Sequence, residues 1–292
     1  MYNRSMSLRS KVKKEGDYPL NTIGKRELLE VENKTIVLTT YEKNSLISIY
    51  LGGVKHWCIH CDIVKGDNGK IEEKGYLIKI RYDLLCSMEE NIQRGGDISK
   101  LLKLLLQYIH NTYPSVKYLS FTDLSSRRCD NGIDTNLAVM TYLYSGKTWY
   151  EKNFDVTIAE QSEDTLKQIL HHYNESKKVP WIKIKDIMSN YKILPYSESD
   201  LETLYNNSET WKEFFETIQT KIGMSKFCIF VSSWLDGFTL KYFNNLMGLT
   251  YKMQIKPTNI SYIQKDFKGG RYKSFFKGAR KNRTIKRFSE ME

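Results

Sequence analysis

Three short patterns hold residues whose chemistry would matter if their spacing were right. The first is "SGKTWYEKNF", residues 145–154. Its Gly-Lys-Thr would suit a phosphate loop, but such a loop needs a second glycine five residues earlier, between a strand and a helix. That position is Thr141, and the residues before Gly146 read as helix. Gly146 is therefore expected to end a helix, not to cradle a phosphate. The second is "HWCIHC", residues 56–61, where His56, Cys58 and His60 would share one face of a strand, as three zinc ligands would. No second Cys-x-x-Cys accompanies them, and the same alternation serves plain packing on a half-buried strand. The third is His171-His172. Adjacent helical residues point about 100° apart, so this pair cannot chelate one ion. No His-Glu-x-x-His and no Gly-x-Ser-x-Gly is present.

Charge is the strongest compositional signal. The net charge is +11, and it gathers at the ends. Residues 268–287 carry Lys268, Arg271, Lys273, Lys277, Arg280, Lys281, Arg283, Lys286 and Arg287 without an acid, and Arg4, Arg9, Lys11, Lys13 and Lys14 lie near the other end. The body between is close to neutral. Tyr272, Phe275, Phe276 and Phe288 interleave with the C-terminal cations. Cations neutralise phosphates and aromatics stack on bases, so nucleic acid or an acidic protein is the expected partner of Arg271 to Arg287. No apolar run approaches the roughly 20 residues that span a bilayer, so no membrane is expected. The first residues, "MYNRSMSLRSKVKKEG", lack the apolar core of a secretory signal. Five scattered cysteines suit a reducing compartment, such as the cytoplasm, better than a disulfide framework.

The elements that would position any site follow from periodicity. Residues 35–41, 45–51, 55–64 and 73–83 are apolar and β-rich, separated by turn signals such as "GDNG". Residues 97–113 form the clearest helix, with Asp97 as a cap, Leu101, Leu102, Leu105, Tyr108 and Ile109 on one face, and Pro114 as the stop. Residues 116–124 read as a strand, 134–146 as a helix and 154–158 as a short strand. Helices are expected at 162–175, 183–191, 197–206, 208–222 and 234–247, and strands at 226–231 and 251–255.

The order across 73–158 resembles the core of the GCN5-related N-acetyltransferases. There the fourth strand runs into a glycine-rich loop that opens a helix, and a fifth strand splays away from the fourth. The next helix ends in a "YEKxGF"-like segment. Arg94, Gly95, Gly96, Asp97, Ile98 and Ser99 fall on that loop, and Tyr150 and Phe154 fall on that segment. The resemblance implies acetyl-CoA as acyl donor, its pyrophosphate held at Gly95, Gly96, Ile98 and Ser99 with charge lent by Arg94. It implies Tyr150 as general acid, with Asp123, at the end of the fifth strand, offered as base. It implies either an active acetyltransferase or a scaffold of that shape that has lost coenzyme A. In style, the chain is also similar to hypothetical proteins of nucleocytoplasmic large DNA viruses, which implies the host cytoplasm or the virion.

The expected architecture is α/β. Basic arm 1–33 precedes an acetyltransferase-like mixed sheet at 34–160, a mainly helical part at 161–263 and a basic tail at 264–292. The competing class is a non-enzymatic virion or nucleic-acid-binding protein that uses its basic ends.

Overall fold

A computed structural model of the chain describes residues 24–32, 34–54, 56–81, 96–159, 163–188, 196–243, 246 and 249–267. Its centre is one mixed sheet. β1 (Lys25–Val31), β2 (Lys34–Lys43), β3 (Leu46–Gly52), β4 (Trp57–Lys65) and β5 (Ile71–Ile80) follow one another as antiparallel neighbours. Helix α1 (Gly96–Thr112) then precedes β6 (Tyr118–Thr122), which pairs parallel with β5. A small hairpin, β7 (Ser126–Arg128) and β8 (Asp134–Asn136), leads into α2 (Leu137–Ser145), α3 (Trp149–Asn153) and β9 (Val156–Ile158). Four helices follow: α4 (Glu163–Ser176), α5 (Trp181–Met188), α6 (Glu198–Asn207) and α7 (Trp211–Tyr242). Strands β10 (Thr250–Gln254) and β11 (Ile263–Asp266) close the described chain.

The last two strands change the organisation expected from the sequence. The sheet order is β11-β1-β2-β3-β4-β5-β6-β10-β9. β10 lies between β6 and β9, and β11 pairs with β1 at the opposite edge. Residues 25–31 are therefore strand, although the sequence reading placed them in a basic arm. Residues 263–266 are strand where it placed the start of a tail. Both are charged strands at one end of the sheet, "KRELLEV" and the outermost "IQKD", whose broken alternation hides their period. Glu27 is buried there and accepts hydrogen bonds from Lys25 and from Gln264 Nε2 (2.7 Å).

Between β10 and β11 the chain straps across α1. Thr258 N–H donates to Gln107 Oε1 (2.6 Å), Thr258 Oγ1 to the Lys103 carbonyl (3.3 Å) and Asn111 Nδ2 to Tyr262 Oη (3.2 Å). Leu101, Leu102, Leu104, Leu105, Leu106, Tyr108 and Ile109 are all buried, so α1 is apolar on more than one face, as expected of a helix covered on both sides.

The first half of α7 buries Trp211, Phe214, Phe215 and Ile218, as its spacing predicts. Residues 226–231 are helix, not the expected strand. Phe227, Phe230, Val231, Trp234, Leu235 and Phe238 keep a helical period that only a longer window exposes. The break between the two halves is Gly223, at φ 76°, a conformation that favours glycine. Cys129, on the β7–β8 hairpin, is disulfide-bonded to Cys228 on α7, which corrects the expectation of reduced cysteines. Asp130–Ser225 and Asn131–Ser232 hydrogen bonds flank that link.

Gly75 stands at the parallel seam. A Cβ there would meet Leu119 Cδ2 at 2.7 Å and the Asp62 carbonyl oxygen at 3.0 Å. Backbone cannot yield cheaply, so Gly75→Ala is expected to lower stability by about 1–3 kcal/mol. The check is a shifted midpoint in urea unfolding with an unchanged slope.

Candidate functional site

The site begins where the parallel pair comes apart. β5 and β6 are paired only at Lys74–Tyr118, Gly75–Leu119 and Tyr76–Ser120. β5 then runs on to Ile80 and β6 to Thr122 without further pairing. The cause lies in their other neighbours. β6 is held along its whole length by β10, from Tyr118–Gln254 to Thr122–Thr250. β5 follows β4, where the register shifts between His60 and Cys61. Such a bulge raises the local twist and turns one strand away from the next. Ile78 on β5 and Leu124 after β6 are exposed beside the parted ends.

Asp123 sits at the end of β6. It is only 6% exposed. Its Oδ1 accepts a hydrogen bond from the Ser125 N–H (3.0 Å), and its Oδ2 has no partner among the described residues. Burying an unpaired carboxylate oxygen costs free energy, so this atom is poised for a donor.

Tyr150 reaches the same place from α3. The "GKTWYEKNF" residues explain how. Gly146, at φ 68°, ends α2 and donates its N–H to the Tyr142 carbonyl, as the sequence predicts. Thr148 then caps α3: its side chain accepts from the Glu151 N–H (3.3 Å), while the Glu151 carboxylate accepts from the Thr148 N–H (2.7 Å). This capping box, Thr-x-x-Glu, was legible in the sequence and went unread. It sets the first turn of α3 and lays the Tyr150 ring against Phe121, centroids 4.4 Å apart. Tyr251 of β10 stacks on the other side of that contact, 5.4 Å from Phe121.

Burial pushes the Tyr150 phenol well above its ordinary range, and the charge of Asp123 adds to the shift. Burial also raises Tyr251, with help from the charges of Glu151 and Asp123 and against a hydrogen bond with Thr148. The two residues expected to be catalytic, Tyr150 and Asp123, are thus brought into electrostatic contact. The phenol keeps its proton at neutral pH.

Arg94 and Gly95 lie outside the described residues. Gly96 is the first residue of α1, and Asp97, Ile98 and Ser99 belong to its first turn. The Ile98 side chain is 4% exposed and packs in the core. The reason is spacing: Ile98 continues the stripe of Leu101, Leu102 and Leu105. The basic residues Arg271, Lys273, Lys277, Arg280, Lys281, Arg283, Lys286 and Arg287 also lie outside the described residues.

The zinc pattern does not assemble. Cys58 is fully buried and disulfide-bonded, whereas His60 is half-buried and bonded to Asp62. Among the described residues no group of three His, Cys, Asp or Glu could hold a metal ion. Nor is any described helix long and apolar enough to cross a membrane.

Comparison with protein-family models, curated proteins and solved structures finds no match to this chain.

Two outcomes test this geometry. Thr148→Ala removes one half of the capping box and should cost about 1 kcal/mol, read as a lowered midpoint of urea unfolding. Tyr150 favours the protonated folded state, so its contribution is full below the unfolded tyrosine value of about 10 and is lost as pH rises through the folded value. Wild type should therefore lose stability in alkali more steeply than Tyr150→Phe, measured by unfolding across that pH range.

Proposed function

We propose that the chain is an acyltransferase of the GCN5-related kind, moving an acyl group from coenzyme A to an amine. The observation that carries this reading is the parted β5–β6 pair, with the unpaired oxygen of Asp123 and the protonated phenol of Tyr150 gathered at its open end. The order of elements supports it: strand, helix, parallel strand that leaves its neighbour, helix, "WYEKNF", strand.

The residues fit such a donor. Exposed Ile78 and Leu124 offer apolar contact to an extended arm. The first N–H groups of α1 have no partner within the helix and suit phosphate oxygens, with glycine at its first residue to allow close approach. Arg94 and Gly95 precede that turn in sequence and Ser99 lies within it. Coenzyme A, when bound, supplies an activated thioester. Tyr150 would hold the proton that the departing sulfur needs, and Asp123 would attract the incoming ammonium. The aromatic contacts of Phe121, Tyr150 and Tyr251 keep water from the inner side.

Calorimetric titration with acetyl-CoA tests the reading: binding is expected, and its absence at high ligand concentration sinks it. Where binding holds, Tyr150→Phe should lower turnover about 10²-fold with little change in affinity.

A second reading keeps the body as a scaffold and gives contact to the cations between Lys268 and Arg287. Their sequence, nine positive charges without an acid, favours nucleic acid. A truncation to test it must begin at Lys268, because Gln264, Lys265 and Asp266 pair with β1. An unchanged affinity and salt slope for DNA and RNA after that truncation counts against it.

A further inference from the structure

The face of the sheet turned away from the core carries a surface that the acyl-transfer chemistry leaves unused. Register places its residues in rows. Tyr76 of β5 pairs with Ser120 of β6, Ser120 with Lys252 of β10, and Lys252 with Thr157 of β9. Two residues back along β5, Lys74 pairs with Tyr118, and Tyr118 with Gln254. Partners in direct register share a face, and so do alternate residues of one strand. The row between these two, Gly75, Leu119 and Met253, belongs to the other face and is buried.

The outward rows are open. Tyr76 is 37% exposed and Thr157 is exposed, while Lys74, Tyr118, Lys252 and Gln254 are half-buried. Ser120 alone among them is buried, a small side chain between longer ones. Both tyrosines hold an ammonium against the ring. Lys74 Nζ lies 4.6 Å from the Tyr76 ring centroid, and Lys252 Nζ lies 5.3 Å from that of Tyr118. One pair forms along β5 and the other across β6 and β10, yet both give the same unit, a ring with a cation beside it. The two rings stand on neighbouring strands in diagonal register, about 7–8 Å apart at their backbones.

Charge favours an anion here. No acid stands in either row over β5, β6, β10 and β9. Next in register is Asp62 of β4, opposite Tyr76, and it is already held by His60 and Ser48. His60 in turn pairs with Lys79, a third and exposed cation on this face. Glu72 precedes the first β5–β6 pair and lies outside the rows.

Flat rings on a sheet suit flat ligands, and the ammonium groups beside them suit phosphates. A single-stranded nucleic acid offers both in repeat: unpaired bases to stack and phosphates to neutralise. A duplex hides its base faces, and an acidic peptide brings charge without a ring to stack. The chain's own cations from Lys268 to Arg287 would meet like charge on this surface. We propose that this face binds a single-stranded nucleic acid, with neighbouring bases stacked on Tyr76 and Tyr118 and their phosphates against Lys74 and Lys252. The assignment is carried by the sheet face and rests on neither reading given above. It places a nucleic-acid contact on the folded body, separate from the basic segment that follows Phe267.

The test uses the full chain with fluorescein-labelled oligo(U) and oligo(dT) of about 12 nucleotides, read by anisotropy across a salt series. Tyr76→Ala and Tyr118→Ala should each weaken binding about 10-fold, whereas Tyr76→Phe, which keeps the ring, should stay within about twofold. Lys252→Gln should flatten the slope of log affinity against log salt by about 0.7. Tyr76 is exposed, so Tyr76→Ala should unfold in urea like wild type, and its loss then reports binding. Independently of affinity, 4-thiouridine placed in oligo(U) should crosslink to peptides that carry Tyr76 or Tyr118, read by mass. These losses with either oligomer support the face, and the tighter of the two names the sugar. A Tyr76→Ala affinity within about twofold of wild type for both oligomers overturns the proposal. So does a duplex of the same length that loses as much affinity on Tyr76→Ala as the single strand does. Crosslinks confined to residues beyond Lys268 overturn it and leave the basic segment as the contact. Binding to polyglutamate or to phosphatidylserine vesicles, with none to either oligomer, overturns it as well.

Discussion

The strap that crosses α1 between β10 and β11 is the constraint on which the rest of the structure depends. Gln107 and the Lys103 carbonyl take hydrogen bonds from Thr258, and Asn111 gives one to Tyr262. With those contacts made, one end of the strap seats β10 beside β6 and the other seats β11 beside β1. β6 is bound along its full length to β10 but to β5 only at Lys74–Tyr118, Gly75–Leu119 and Tyr76–Ser120. The last strands complete an open sheet with β11 and β9 at its edges, and the candidate site lies where β5 and β6 part. Contacts such as Glu27–Asp266 join distant parts of the chain, so loop closure weighs against this arrangement until the apolar face of α1 is covered.

Around the gap, apolar packing and polar cost are set against each other. Phe121 and Tyr251 are buried and in ring contact, with Tyr150 packed on Phe121. Asp123 Oδ2 is left without a donor in the same place. A fold selected only for stability would pair or remove that oxygen. On the other face, His60 and Asp62 satisfy one another, and stacking on Tyr50 holds them still.

Much of this was legible in the sequence where a period was long or a signal local. The four hairpin-linked strands from β2 to β5, the apolar stripe of α1, and the inward Trp211, Phe214, Phe215 and Ile218 all followed from alternation or from i, i+4 spacing. Gly146 announced its own left-handed turn. Tyr150 and Asp123 were reached by resemblance; Tyr150 packs on Phe121, two residues before Asp123, and is raised in part by the Asp123 charge. What stayed hidden depended on partners distant in sequence. "IQKD" has no strand signal until β1 lies beside it. "KFCIFV" looks β-rich until Trp234 and Phe238 extend its helical face. Cys129 and Cys228 stand 99 residues apart, and only the packing of the hairpin on α7 brings them together. His60 and Asp62 were in plain view, but the zinc pattern drew His60 toward Cys58 instead.

The pairing of β1 with β11 also makes the described body nearly a closed loop. Phe267 N–H donates to the Arg26 carbonyl at 3.4 Å, and the Arg26 guanidinium lies 5.8 Å from the Phe267 ring centroid. Residues 24 and 267 therefore emerge side by side. The order in which the strands are translated is only one way of cutting this ring. A circular permutant that joins those two positions and opens the exposed Gly66–Lys70 turn would keep every strand neighbour while moving the ends of the polypeptide from an edge of the strand order to its middle.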